Sequence, residues 1–295
     1  MRALIAVPTT LGLVGAAGLG YAAGIERNAF RLRERTVPVL PPGSPPLRLL
    51  HVSDVHMTPG QHRKQAFLRD LATVRPDLVA TTGDNLGGRD AVPATLAALE
   101  PLAAFPGVFV LGSNDYFAPR PKNPLKYFWP DHKRVLGVAN PWRDLVAGLQ
   151  EMGWVDLTNR RETLPVGDRT IEVAGVDDHH LKRHRISVAD APVDPTLPVH
   201  LALIHAPEPT VLAPFAAAGF DLLLCGHTHG GQLRLPGYGA IVTNCGIDRA
   251  RARGLSRFAD AWLHVSPGLG TSPYAPVRFA CPPEATLLEL VARSS

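Results

Sequence analysis

From Leu47 onward the chain alternates short apolar runs with segments whose apolar residues recur at helical spacing, the pattern of an α/β fold. Strands are expected at Leu47 to Val52, Asp77 to Thr82, Val108 to Leu111, His200 to Ile204, Phe220 to Cys225 and Trp262 to Val265. Gln61 to Val74, Ala91 to Leu102 and Asn140 to Met152 read as helices. In the last of these Trp142, Leu145, Val146 and Leu149 share one face at i, i+3, i+4 and i+7.

Ahead of Leu47 the pattern changes. Ala3 to Ile25 carries no charge, and at about 1.5 Å per helical residue it is long enough to cross a hydrocarbon core of about 30 Å. A hydrophobic N-terminal helix serving as a membrane anchor is therefore expected within residues 1–36. Pro8 and five interspersed glycines weaken the run, and a cleaved signal segment is the alternative. Arg27, Arg31, Arg33 and Arg35 follow it, so the positive-inside tendency places the rest of the chain in the cytoplasm, with export as the alternative. Five prolines between Val37 and Pro46 suggest an extended linker over residues 37–46, leaving 47–295 as one globular domain.

Composition narrows the picture mainly by exclusion. A 295-residue chain that is 45% hydrophobic and 19% charged has the makings of an ordinary core, not of a disordered tail. Three cysteines are too few for a disulfide-stapled scaffold, so Cys225, Cys245 and Cys281 are expected as packed thiols. The net charge of +4 comes without a basic stripe, and no nucleic-acid partner is expected.

Chemistry concentrates where the strands end. Ser53-Asp54-Val55-His56 follows the first expected strand, Gly83-Asp84-Asn85 the second, Gly112-Ser113-Asn114-Asp115 the third, His205-Ala206-Pro207 the fourth and Gly226-His227-Thr228-His229 the fifth. In an open α/β sheet the carboxyl ends of the strands face one crevice, so these groups converge. Asp-x-His and His-x-His direct alternate residues to one side of an extended segment. A convergent set of carboxylate, amide and imidazole without thiolate suits two divalent ions such as Mn, Fe or Zn. His51 and Asn85 adjoin this set and are candidates only for a supporting role.

At these residues the sequence resembles the calcineurin-like metallophosphoesterase superfamily, whose blocks read D-x-H, G-D, G-N-H, H and G-H-x-H in this order. The segments Val265 to Gly270 and Pro276 to Leu290 resemble its bacterial branch of membrane-anchored or exported phosphoesterases. The resemblance implies a four-layer α/β/β/α sandwich and a two-metal hydrolase. It implies that one metal is held by Asp54, His56 and His229 and the other by His205 and His227, with Asp84 bridging. A metal-bridging hydroxide would then attack the phosphorus of a phosphodiester or phosphomonoester in line.

One block departs from that pattern. Read without a gap, Gly112 to Tyr116 puts Ser113 at the ligand Asn and Asn114 at the His; read one step along, Asn114 is the ligand and Asp115 replaces the His. Asn114 is the favoured ligand, because a Ser hydroxyl is a poor substitute for an amide oxygen. In either register the usual imidazole is missing, and Asn114 and Asp115 are the candidates for its catalytic part. Loss of such an acid costs about 10²- to 10⁴-fold in rate.

Two insertions are candidates for substrate selection. Phe117 to Lys133 interleaves basic and aromatic residues and reads as a cap, as a surface resting on anionic headgroups, or as a plain solvated loop. Asp177 to Arg185 (DDHHLKRHR) reads as a third metal site or as a solvent-exposed loop. The leading expectation is a phosphoesterase acting on a membrane-associated or lipid-linked phosphate ester. A nucleotide phosphodiesterase is the rival within enzymes, and a weakly active metal-bound scaffold the rival outside them.

Overall fold

A computed structural model describes residues 15–121, 135–235, 237–271 and 273–294. Two six-stranded sheets dominate it. The first is built from β1 (Arg31–Leu40), β2 (Leu47–Val52), β3 (Leu78–Thr81), β4 (Gly107–Phe109), β5 (Val155–Asp156) and β14 (Glu284–Ala292), in the order β1-β14-β2-β3-β4-β5. The second contains β6 (Arg160–Val166), β7 (Arg169–Val176), β8 (His200–Ile204), β9 (Leu222–Cys225), β12 (Gly254–Phe258) and β13 (Ala261–Val265), in the order β12-β13-β9-β8-β7-β6. The short β10 (Arg234–Leu235) and β11 (Gly239–Ala240) pair as a separate hairpin.

Strands with apolar residues at successive positions are buried on both faces, and that is what stacks the layers. In β2, Leu47 and Leu49 join Leu201, Leu203, Leu222 and Leu224 in the core between the sheets. Leu50 and Val52 turn the other way, onto α1 (His62–Asp70), α2 (Val92–Leu99) and α4 (Trp142–Glu151), through Leu68, Leu99, Leu145 and Leu149. A short helix α3 (Ser113–Tyr116) follows β4. On the far side of the second sheet, Leu223, Leu263 and Val265 pack on Val211, Leu212 and Phe215 of α5 (Pro209–Ala217). The layers run helix, sheet, sheet, helix, and the parallel strands β2, β3 and β4, like β7, β8, β9 and β13, deliver their carboxyl ends to one rim.

The expected linker is corrected by β1. Residues 31–40 run parallel to β14, with Arg31 opposite Glu284 and Val37 opposite Leu290, and Val37, Val39 and Leu40 are buried in the inter-sheet core. Pro38 is compatible with a strand because β1 lies at the sheet edge, where a missing N–H removes no ladder bond on the open side. The folded domain thus reaches back past Leu47 to at least Arg31. Ahead of it Glu26 is buried, and its carboxylate accepts the N–H groups of Ala280 (3.1 Å) and Cys281 (2.6 Å).

Among the described residues no helix is long and apolar enough to cross a membrane. Residues 3–14 of the expected apolar helix lie outside the described residues, as do residues 122–133 of the basic-aromatic insertion.

Candidate dinuclear metal centre

Two groups of three side chains stand at the rim. Asp54, His56 and His229 bring one ligand atom each to within 4.8 Å of one another, and so do Asp84, His205 and His227. Asp54 and His56 follow β2, Asp84 follows β3, His205 follows β8, and His227 and His229 follow β9, so both sheets contribute. The carboxylate of Asp84 faces both groups: Oδ2 lies 3.6 Å from His56 Nε2 and Oδ1 lies 3.5 Å from His205 Nε2.

The backbone is bent to achieve this. Asp54, His56, Asp84, His227 and His229 all have left-handed φ angles, between 42° and 66°. Such angles are uncommon for non-glycine residues, and strained backbone of this kind costs about 1–3 kcal/mol per residue and clusters at functional sites. Two glycines make the crowding possible. A Cβ on Gly112 would fall 2.3 Å from Asp84 Oδ1, and one on Gly226 would fall 2.4 Å from Asp54 Oδ2.

The nitrogen lone pairs are what this arrangement leaves open. His205 Nδ1 lies 2.6 Å from the Thr82 carbonyl and His229 Nδ1 lies 3.0 Å from the Gly270 carbonyl, contacts that place a proton on each Nδ1 and a lone pair on each Nε2. His205 Nε2 and His56 Nδ1 are buried without a hydrogen-bond partner, and His56 Nε2 faces His229 Nε2 at 3.2 Å. Facing imidazole nitrogens beside two carboxylates form a donor set that fits cations. Burial pushes His56 down to about 4, and burial together with the neighbouring His56 holds His229 well below the usual histidine range. Burial opposes charge on His205 too, but the Asp84 carboxylate overcomes it and lifts His205 to about 10, so a cation at Nε2 competes with a proton that Asp84 would otherwise hold there.

The irregular block after β4 divides its residues between two tasks. Asn114 lies at the centre: its backbone N–H donates to Asp84 Oδ1 (2.7 Å) and its amide Nδ2 to Asp84 Oδ2 (2.6 Å). Asp115, expected as a substitute for the missing imidazole, instead braces the loops. Its carboxylate accepts the N–H groups of Asp84, Asn85, Leu86 and Gly112 at 2.7–3.2 Å. A carboxylate surrounded by backbone donors is an anchor, because both of its oxygens are already engaged.

The 177–185 loop is packed against the second group rather than lying free in solvent. Asp177 accepts from Tyr116 Oη and from Arg183 Nε, both at 2.9 Å, and the rings of His180 and His227 lie 4.2 Å apart. Among the described residues its histidines form no third cluster of metal-ligand geometry. Cys225 and Cys281 are buried free thiols and Cys245 is partly buried.

Sequence reasoning passed over Arg278. Its fully buried guanidinium donates to the carbonyls of Cys281, Pro267, Gly268 and Gly270 at 2.6–3.1 Å. The Gly270 carbonyl also receives His229 Nδ1, so Arg278 fixes the loop that orients a ligand. Only the buried position of a single Arg marks it, and nothing local in the sequence shows that.

Strand-end carboxylates and imidazoles at the rim of such a sandwich are the ligand set of a metal-dependent hydrolase. Residues 47–231 match the calcineurin-like phosphoesterase family, and the chain belongs to it. It is 27% identical over 292 residues to YkuE of Bacillus subtilis, an uncharacterized metallophosphoesterase, covering 94% of this chain and 91% of that one. It is 26% identical to the phosphodiesterase YaeI of Escherichia coli, covering 96% of each chain. The UDP-2,3-diacylglucosamine pyrophosphatase LpxG of Chlamydia trachomatis is 26% identical, with 82% of this chain and 83% of that one covered.

Proposed function

We propose that the chain hydrolyses a phosphodiester or pyrophosphate-type ester of a lipid-linked substrate at a membrane surface, using two divalent cations. The observation that carries the reading is the sharing of Asp84 between two groups of three ligand atoms, each group converging within 4.8 Å. Asp54, His56 and His229 would hold one ion, His205 and His227 the other, with Asp84 between them and the Asn114 amide beside it. Bound there, divalent cations make water a competent nucleophile at neutral pH and polarise a phosphoryl oxygen.

The chain's own residues set the terms of that chemistry. Asn114 holds both oxygens of Asp84 and has no proton to give a departing alkoxide, so esters with good leaving groups are favoured. The exposed apolar side chains favour a lipid surface over a free nucleotide. Tyr21 meets Phe279 edge-on at 6.4 Å, Phe279 bridges to Leu233, and Leu235 and Tyr238 continue the patch along the β10–β11 hairpin, all exposed. Arg249 lies over Tyr238, 5.0 Å from the ring centre, and Arg234 donates to the Gly230 carbonyl beside the ligand loop. Aromatic and aliphatic groups interleaved with arginines suit the boundary of an anionic bilayer, and LpxG supplies the precedent of a lipid-bearing pyrophosphate.

The test is hydrolysis by the full chain with added Mn²⁺, comparing a vesicle-embedded lipid pyrophosphate, bis(p-nitrophenyl) phosphate and cyclic nucleotides, with His229→Ala as control. Turnover of the first two, abolished by His229→Ala, is expected. Preference for the cyclic nucleotides would replace the lipid reading by the nucleotide one, and metal uptake without turnover of any ester would leave a scaffold.

A further inference from the structure

A buried polar chain crosses the largely apolar layer between the two sheets. His51 shares the inner face of β2 with Leu47 and Leu49, and His264 lies on the face of β13 opposite to Leu263, so the two imidazoles meet from opposite sheets. Their Nδ1 atoms are 2.8 Å apart. From His51 the chain continues through Nε2 to Thr82 Oγ1 (2.9 Å), from there to Ser53 Oγ (2.7 Å), and from Ser53 Oγ to Asp54 Oδ2 (2.6 Å). All five residues are fully buried. A buried polar chain in a hydrocarbon layer is destabilising unless each member is satisfied, so its presence calls for a purpose.

The direction of every bond follows from one end. An ionised Asp54 only accepts, so Ser53 must donate to it. Ser53 has then used its proton, so Thr82 donates to Ser53, and His51 must donate to Thr82 from Nε2. That leaves His51 Nδ1 as an acceptor, which obliges His264 to donate from Nδ1 and to keep a bare Nε2. His264 Nε2 is in fact buried without a hydrogen-bond partner. Burial holds both rings neutral, driving His51 well below the usual histidine range and His264 to about 3.

We infer that His264 and His51 are positioning residues for the metal centre: a one-way hydrogen-bond chain, rooted in the second sheet, that fixes Asp54 Oδ2 and thereby aims Oδ1 at the ion beside His229. Oδ1 is the oxygen nearer His229, 3.7 Å from its Nε2. The inference rests on Asp54 being a metal ligand, as proposed above, but its first test does not depend on catalysis.

That test is long-range ¹H–¹⁵N NMR of the histidine rings in the full chain. The expected spectrum at neutral pH shows His51 protonated at Nε2 alone and His264 protonated at Nδ1 alone, the latter being the opposite of the form favoured in water. His51 carrying its proton on Nδ1, or either ring doubly protonated, would overturn the chain. The second test is Mn²⁺ affinity by electron paramagnetic resonance. His264→Leu is expected to weaken binding by about 10- to 100-fold, the usual effect of losing an outer partner of a ligand. His264→Gln, whose amide N–H can still donate, recovers most of that loss. Wild-type affinity in His264→Leu would overturn the positioning role, and if that variant fails to fold, the tautomers of the wild-type rings decide the matter. Expected tautomers in a protein that hydrolyses no ester would count against the proposed function alone.

Discussion

The two ligand groups have the same chemistry and opposite surroundings. The group of Asp54, His56 and His229 is braced from the interior: Ser53 holds Asp54, the Gly270 carbonyl holds His229, and Arg278 holds Gly270. The group of Asp84, His205 and His227 leans on the rim. His205 is fixed by the Thr82 carbonyl, but His227 Nε2 approaches the Asn244 carbonyl at 3.3 Å, and His180 packs on its ring from the histidine-rich loop. If the two groups hold ions as proposed, the contrast implies a division of labour, one position built to retain its ion and the other open to the histidine-rich loop at the rim.

That division can be broken or sharpened by substitution. The largest effect is expected from Asp84→Asn, which touches both groups. Turnover of bis(p-nitrophenyl) phosphate should fall by more than the about 10²- to 10³-fold seen when one preorganised electrostatic group is removed, and metal analysis should show both ions depleted. Retention of one full equivalent would mean that Asp84 serves a single group.

Asn114→His restores an imidazole beside the rim group. It should raise turnover of an alkyl phosphodiester by about 10²-fold, within the range for a positioned general acid, and that of an aryl diester far less. Equal gains on both substrates would sink the leaving-group argument.

Arg278→Met acts on the braced group alone. Uncovering carbonyls costs about 1–3 kcal/mol for each one left unsatisfied, so the thermal midpoint should drop, and Mn²⁺ affinity of one site should weaken about 10- to 100-fold with the other unchanged. Equal weakening of both sites would erase the distinction between them.

The smallest effect is a control on stability away from both groups. Burial opposes charge on His200, yet its bond to Asp221 (2.7 Å) raises its pKa in the folded state. A raised folded value means the contribution is complete below the unfolded value of about 6.5 and fades as pH rises through the folded value. The melting temperature of the wild type should therefore decline over that window relative to His200→Gln, with ion affinity alike in the two.

What the sequence shows plainly is what repeats or clusters. Six expected strands and three helices correspond to observed elements because their apolar runs are local, and the convergence at the rim follows from the order of their ends. β1 was hidden by its chemistry: four arginines or glutamates and Pro38 in a ten-residue strand look like a flank and a spacer, since an edge strand needs only one buried face. The supports of the site were hidden by distance. Arg278, Glu26 and His264 lie 224, 28 and 210 positions from Asp54 in the sequence and act through backbone carbonyls, N–H groups or another side chain, which no spacing rule reveals. Asp115 misled for the opposite reason, standing next to the ligand block while its carboxylate turns away toward four amides.

The place of β14 between β1 and β2 has a consequence for synthesis. The ribosome completes β1 and β2 before the other strands, but they are not neighbours in the sheet, and the strand that belongs between them emerges after all the rest of both sheets. Until Glu284 to Ala292 appears, each early strand presents an unpaired edge, the feature that invites mispairing with other chains. Contacts of such long sequence separation form slowly. A nascent chain stalled before Glu284 would therefore be a prime target for chaperones, and β14, the nine-residue strand that follows all the others in sequence, acts as the closing wedge of the first sheet.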